Sequence, residues 1–174
     1  MLNRFLLRLA SFLPPWVFWE LFSPNFLKDP WQHRIFPQHR WLLSIIRKTK
    51  PRVILEAGCG FGRNLQFLIG QGINPKKLTG IDFSSSLLQK ARLALPAKVK
   101  LDQGRLQHLP YSHNQFDLVF THGVLMHLPP SQIQTALKEL ARVTRHWLVL
   151  IEEVTQGSDP CKINSFTWSH DYLQ

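Results

Sequence analysis

Three glycines at alternate positions, Gly58, Gly60 and Gly62, follow directly on the run Val53-Ile54-Leu55-Glu56-Ala57. The residues before them have strand character, and Arg63-Asn64-Leu65-Gln66-Phe67-Leu68-Ile69 after them has helical spacing. A strand, a tight turn and a helix are therefore expected. In an open α/β sheet such a turn presents backbone to a ligand at the carboxyl end of a strand. Glycine suits the place because it tolerates positive φ and leaves no side chain between backbone and guest.

The spacing argues against one ligand class. A dinucleotide fingerprint, G-x-G-x-x-G, needs its third glycine at position 63, where Arg63 stands. The chain instead has G-x-G-x-G with an acid, Glu56, two residues ahead. Farther on, Leu78-Thr79-Gly80-Ile81-Asp82 reads as a second strand ending in an acid, twenty residues past Gly62. A carboxylate there can accept from both hydroxyls of a ribose. It can also cap a helix opening at Ser84 or Ser85. With the glycine turn upstream, the ribose reading is preferred.

Strand and helix signals keep alternating. Gly70 to Pro75 is a breaker cluster, and Leu87, Leu88, Ala91 and Leu95 give a second helix its core face. Val99–Gln103, Phe116–Thr121 and Trp147–Ile151 read as third, fourth and fifth strands, with Glu152 and Glu153 at the last exit. Between the last two strands, Ile133, Leu137, Leu140 and Ala141 form one helical face, and Ser131-Gln132-Ile133-Gln134 is expected to open it as a capping box. The alternation gives an α/β, doubly wound, mainly parallel sheet.

Ahead of this core, Trp41-Leu42-Leu43-Ser44-Ile45-Ile46 is helix-like, and Lys50-Pro51 marks the boundary of a 1–50 aromatic-rich helical extension from a 51–174 domain. His33 and His39 could face a ligand site, although a surface position is preferred for each. The first stretch, Met1 to Leu13, is apolar with a polar stripe at Arg4, Arg8 and Ser11, then Pro14-Pro15. It is too short to span a bilayer, and Arg8 inside the apolar part argues against a signal peptide. An interfacial helix over residues 1–22 is one reading. A lid packed on its own domain is preferred, because the polar face is thinly charged.

A hydrophobic fraction of 44% with 18% charged residues indicates a folded chain. The net charge of +10 fits an anionic partner such as nucleic acid, a membrane surface or a phosphorylated substrate, although no basic run with interleaved aromatics stands out. Cys59 and Cys161 form neither a disulfide framework nor a metal-ligand spacing, so no metal is expected, and a reducing, cytoplasmic compartment is. Peripheral contact with the inner face of the membrane would run through residues 1–22.

The turn from Glu56 to Gly62, with Asp82 beyond it, resembles the first motif of the class I S-adenosylmethionine-dependent methyltransferases, in their type 11/12-like form. So do Phe116-Asp117-Leu118-Val119, the polar pair Thr121-His122, and Val124-Leu125-Met126-His127-Leu128-Pro129. The resemblance implies a Rossmann-like sheet of order 3-2-1-4-5 and S-adenosyl-L-methionine as cofactor. The cofactor would be held by Glu56, Gly58, Cys59, Gly60, Gly62, Asp82, Phe83, Leu106 and Thr121. It places the acceptor near the fourth and fifth strand ends, with His122 or His127 as general base, since an imidazole titrates near neutrality. A hydrogen bond closing the loop is the other account of His127.

Two departures stand out. Arg105 occupies the place of the acid that reads the adenine amino group in the family, and a guanidinium cannot accept a hydrogen bond. Adenine recognition would then fall to the Leu106 backbone or to Gln107. The family also continues to a sixth and seventh strand, for which Val154 to Gln174 is too short, so these strands are expected to be missing or replaced, through truncation or in a minimal variant. The stretch 120–130 looks like methylases of sugar and cell-surface polysaccharide synthesis, which implies an O or N atom of a small molecule, sugar or lipid-linked, as acceptor. The charge keeps an RNA methyltransferase open. Arg105 and the short C-terminus keep open a non-catalytic S-adenosylmethionine-binding scaffold. The oligomeric state has no signal.

Overall fold

The structure, a computed structural model, describes Val17, Glu20, residues 30–153 (Trp31 and His33 as backbone), the backbone of 161–164, residues 167–170 and Tyr172. The lid or interfacial helix expected at the start of the chain lies outside the described residues, save that Val17 and Glu20 are helical. None of the described helices is long and apolar enough to cross a membrane.

Five parallel strands form one sheet: β1 (Ile54–Ala57), β2 (Leu78–Asp82), β3 (Lys100–Gln103), β4 (Phe116–His122) and β5 (Thr144–Ile151). Their order is β3-β2-β1-β4-β5, as the family resemblance implies. β1 is central, Glu56 lying opposite Gly80 of β2 and Phe120 of β4, and all four of its residues are buried. The winding reverses between β1 and β4. An open sheet has its ligand crevice at such a switch point, outside the carboxyl ends of the strands.

The helices α1 (Pro37–Thr49), α2 (Arg63–Gly70) and α3 (Ser85–Ala94) cover one face through Leu42, Ile46, Leu65, Leu68 and Leu88, packed on Ile54, Leu118 and Phe120. On the other face α4 (Pro130–Val143) brings Ile133, Ala136, Leu140 and Val143 against Leu55, Ala57 and Val119. Strand alternation thus sends Ile54, Leu118 and Phe120 to one side and Leu55, Ala57 and Val119 to the other. Burial on both faces is why these strands read as near-continuous apolar runs.

The start of α4 differs from expectation. Ser131 caps nothing; Pro129 is the N-cap and Pro130 the first helical residue. Proline has its φ preset and no N–H to leave unpaired there, so the helix opens one residue before the serine. α1 likewise opens on a proline, Pro37, four residues ahead of the apolar run at Trp41. After β5, β6 (Cys161–Asn164) and β7 (Thr167–Ser169) pair antiparallel as a separate hairpin and do not extend the parallel sheet. The imidazole Nε2 of His170 lies 2.9 Å from the carbonyl of Leu128, the residue that ends the 3-10 turn Leu125–His127, which ties the hairpin's end to that turn.

Candidate active site

The turn after β1 is held in place by the end of β2. Gly58 and Cys59 both donate N–H to the Ile81 carbonyl, at 2.8 and 3.0 Å, and Gly62 donates to Cys59 at 2.9 Å. Gly58 sits at φ +81°, and a Cβ there would come 2.4 Å from Val124 Cγ1. Gly60, at φ +52°, has nothing nearer to such a Cβ than Leu87 at 3.9 Å, an ordinary contact, so its backbone conformation and not crowding is what calls for glycine. Cys59 points inward instead. Its Sγ would lie 2.7 Å from a Cβ on Gly80, and burial, followed by the nearby Glu56 and Asp82 charges, pushes the thiol far above its ordinary range. A thiol in that state is an inert packing group.

Asp82 spans the turn. Its Oδ2 accepts from Gly60 N–H at 2.8 Å and its Oδ1 from Ser84 N–H at 2.9 Å. The helix cap is Ser84 itself, whose Oγ accepts from Leu87 N–H at 3.2 Å. Both oxygens of Asp82 keep further lone pairs for hydroxyl donors. Burial raises this carboxyl's pKa, although the Ser84 and Gly60 amides pull the other way.

Next to Asp82 opens a cavity of about 340 Å³, lined by Glu20, Phe83, Gln103, Gly104 and Arg105. Its size is that of a small-ligand site, and aromatic, amide and charged groups line it. Such a lining suits a flat ring that carries polar groups. Leu106 is buried behind the cavity, while the Gln107 amide is turned to α4, donating to Gln132 Oε1 at 2.6 Å. Gln107 is not among the residues that line the cavity.

Beneath the turn runs a buried polar chain. Glu56 Oε1 accepts from Asn64 Nδ2 at 2.6 Å, and Asn64 Oδ1 lies 3.1 Å from His122 Nδ1. The amide oxygen accepts, so His122 carries its proton on Nδ1 and its lone pair on Nε2. The His122 ring meets His39 edge-on at 5.1 Å, and His39 in turn meets Phe67. His39 was expected at the surface but is 1% exposed, because its Nδ1 accepts from Phe36 N–H and closes the first turn of α1.

Charges in this chain follow from burial. It raises Glu56 to about 8, against the opposing Asn64 bond and Arg63 charge. It lowers His122 to about 4, helped by Arg63 and His39. The expectation of an imidazole titrating near neutrality therefore fails for His122. Among the described residues Arg63 makes a 3.5 Å contact with Gln32 Oε1 and lies 6.0 Å from the Phe36 ring centroid.

At the exits of β4 and β5, Glu152 accepts from Val124 N–H and Leu125 N–H, each at 3.0 Å from Oε2, and burial lifts it to about 7. It thus anchors the turn that carries His127, whose own N–H donates to Val124 O. Thr121 is fully buried at the end of β4. The structure therefore gathers Glu56, Gly58, Cys59, Gly60, Gly62, Asp82, Phe83 and His122 around one rim, with Leu106 and Thr121 buried beside it and His127 in the adjoining turn. The sequence reading missed Asn64, Arg63 and Glu20. Asn64 and Arg63 were visible as polar residues in the first turn of a helix bound for the sheet. Glu20 has no local signal, being 65 residues from its serine partner.

A family model described as a methyltransferase domain matches residues 54–146, just over half of the chain. An uncharacterized methyltransferase YodH of Bacillus subtilis is 32% identical over 112 residues, which are 59% of this chain and 44% of that one. A demethylmenaquinone methyltransferase of Staphylococcus aureus is 32% identical over 133 residues, covering 72% and 54%. Among solved structures, a possible histamine N-methyltransferase of Thermotoga maritima shares the fold, with TM-score 0.59 at 22% identity over 78% of this chain and 60% of that one. The chain spans between 40% and 62% of the length of these and two further curated relatives. The matched span runs from the first strand of the sheet into its last, through the glycine turn and the Asp82 clamp, and the chain belongs to the class I S-adenosylmethionine-dependent methyltransferases, whose cofactor is S-adenosyl-L-methionine.

Proposed function

We propose that the protein transfers the methyl group of S-adenosylmethionine to an O or N atom of a small molecule. The observation that carries this reading is the clamp of Asp82 across Gly60, 2.8 Å long, beside a cavity of about 340 Å³. Asp82 would accept from the ribose hydroxyls, Phe83 would lie against the purine with Leu106 behind it, and Gly58, Cys59, Gly60 and Gly62 would pass their backbone along the cofactor. Glu56 and Thr121 would complete the methionine side, where the ammonium group would draw Glu56 toward its ionised form.

The bound cofactor supplies an electrophilic methyl on a sulfonium. The protein's share of an in-line displacement is position and a path for the acceptor's proton. His122 meets the first need through its Nε2 lone pair, which orients an acceptor O–H or N–H. Burial and Arg63 disfavour its charged form, so it takes a proton only in passing. His127 is the second candidate, since its turn is fixed by Glu152 at the mouth of the same crevice. His122→Ala should lower kcat more than it lowers cofactor affinity.

The relative named demethylmenaquinone methyltransferase supports a small-molecule acceptor. RNA as acceptor draws on the charge of +10. The exposed Arg47, Lys48, Lys50, Arg52 and Lys76, however, lie at the amino ends of β1 and β2, the rim away from Gly60 and Asp82. Incubation with methyl-labelled cofactor, a small-metabolite extract and, separately, total RNA tests the reading. Label in a low-mass product supports it. Label in RNA alone, or no turnover with any fraction, would overturn it.

A further inference from the structure

Asn64 stands in the first turn of α2, 5% exposed, between an acid at the end of β1 and an imidazole at the end of β4. Its Nδ2 donates to Glu56 Oε1 at 2.6 Å, and its Oδ1 lies 3.1 Å from His122 Nδ1. Both ends of one conjugated amide are thus engaged. Hydrogen bonds in such a buried chain polarise one another, so a stronger pull on the amide N–H leaves more charge on the amide oxygen.

The acid end of this chain is open to a change of charge. Glu56 is 1% exposed, and its second oxygen, Oε2, has no hydrogen-bond partner among the described residues. Burial, with Asp82 nearby, raises the carboxyl to about 8 against the Asn64 bond and the Arg63 charge. A cation brought to Oε2 would favour the carboxylate and release its proton to solvent. The imidazole end is neutral. Burial holds it so, with Arg63 of α2 and His39 of α1 as its charged and titratable neighbours, and His39 is itself kept neutral by burial and Arg63. Of these groups, Glu56 is the one hydrogen-bonded to His122 through a shared side chain.

We propose that Asn64 is a positioning residue that ties the basicity of His122 to the charge of Glu56. When the cofactor's ammonium group has displaced the Glu56 proton, the carboxylate draws harder on the Asn64 N–H. The Asn64 oxygen in turn draws harder on the His122 Nδ1–H, and the Nε2 lone pair takes up a proton more readily. This rests on the donor site and the role of His122 proposed above. It makes the imidazole a better proton acceptor when the methyl donor is in place than when it is absent.

The test reads the imidazole directly. Protein with nitrogen-labelled histidine rings is titrated with acid by NMR, free and saturated with S-adenosylhomocysteine, for wild type and Asn64→Ala. The signals missing from His122→Gln identify the ring. In wild type the ligand should raise the proton affinity of His122 about tenfold, moving its midpoint from about 4 to about 5. Its neutral ring should carry the proton on Nδ1 throughout. In Asn64→Ala the ligand should leave the midpoint where it was, and the neutral ring should divide between its two tautomers. Asn64→Leu, close to asparagine in shape, repeats the measurement should the cavity left by alanine prevent folding. An amide that only fills space would leave His122 indifferent to the ligand in wild type. A field acting through space would move it equally without the amide. Either result overturns the proposal. Failure of wild type to take up S-adenosylhomocysteine would instead remove the donor site, and this link with it.

Discussion

The two rims of the sheet treat their carboxylates in opposite ways. At the carboxyl ends of the strands Glu56 and Asp82 are buried and Glu152 is half-buried, and this raises each pKa, Glu56 to about 8 and Glu152 to about 7. Toward the amino ends Asp117 is paired with Arg145 at 2.9 Å and takes Arg52 and Val53 N–H, while Glu139 is gripped by Arg142. Here the hydrogen bonds win: the Arg142 bond holds Glu139 at about 2, and the backbone and Arg145 bonds outweigh burial to lower Asp117. One rim keeps its acids satisfied and contributes to the fold. The other holds acids whose hydrogen bonds do not offset their burial. Perturbed groups gathered in a crevice mark a functional site.

The largest effect should come from the glycine turn. Gly58→Ala would force a Cβ to within 2.4 Å of Val124 Cγ1 at φ +81°. We expect a loss of about 1–3 kcal/mol in stability from the backbone strain. Cofactor affinity should drop about a hundredfold or more as the turn shifts. Urea melts and calorimetry read the two separately, and a variant that binds like wild type would remove the turn from the site.

The pH dependence of stability separates the rims next. A raised acid favours the fold at pH below its unfolded value and loses that contribution as pH climbs through the folded one. Glu56 should therefore make stability fall between about pH 4.5 and about 8. In Glu56→Gln the protons linked to unfolding in that window should drop by about one. Asp117 and Glu139 work the other way, their contribution being present above about pH 4 and lost on acidification, Glu139 through about 2. Asp117→Asn should cost about 1–2 kcal/mol at pH 7, through weakened bonds to Arg52, Val53 and Arg145. Urea melts at pH 5 and 8 read the Glu56 slope, and melts carried down to about pH 2 read the opposite sign of Asp117 and Glu139; an unchanged slope between pH 5 and 8 in Glu56→Gln would contradict the account of the carboxyl rim.

The smallest effect belongs to Arg145→Ala. Its side chain is 48% exposed, so the ion pair should contribute only about 0.5 kcal/mol. A melt that loses several kcal/mol would show that the amino rim is held by more than the backbone bonds to Asp117.

What was legible in the chain follows from how local each feature is. The turn after β1 was readable because its glycines, its strand and its helix are adjacent in sequence. Asp82 was readable because it ends a strand beside that turn, and the structure shows that clamping Gly60 and capping α3 fall to different residues, Asp82 and Ser84. The opening of α4 was misplaced since Ser131 has cap chemistry, while the prolines before it already set the backbone. The chain from Glu56 through Asn64 and His122 to His39 was not legible, because it joins β1, α2, β4 and α1 across the interior. The near-neutral pKa assigned to His122 failed for the same reason: the burial that lowers it comes from packing that no local pattern encodes.

The account stands on the carboxyl rim being the cofactor's seat, and titrating S-adenosylhomocysteine into wild type and Asp82→Ala, with Arg145→Ala alongside as the opposite-rim control, tests it most directly. Saturable binding by wild type and Arg145→Ala, with Asp82→Ala weaker by about tenfold or more for lost charged hydrogen bonds, is the predicted result. No heat from wild type at millimolar ligand, or equal affinity in all three proteins, would contradict it.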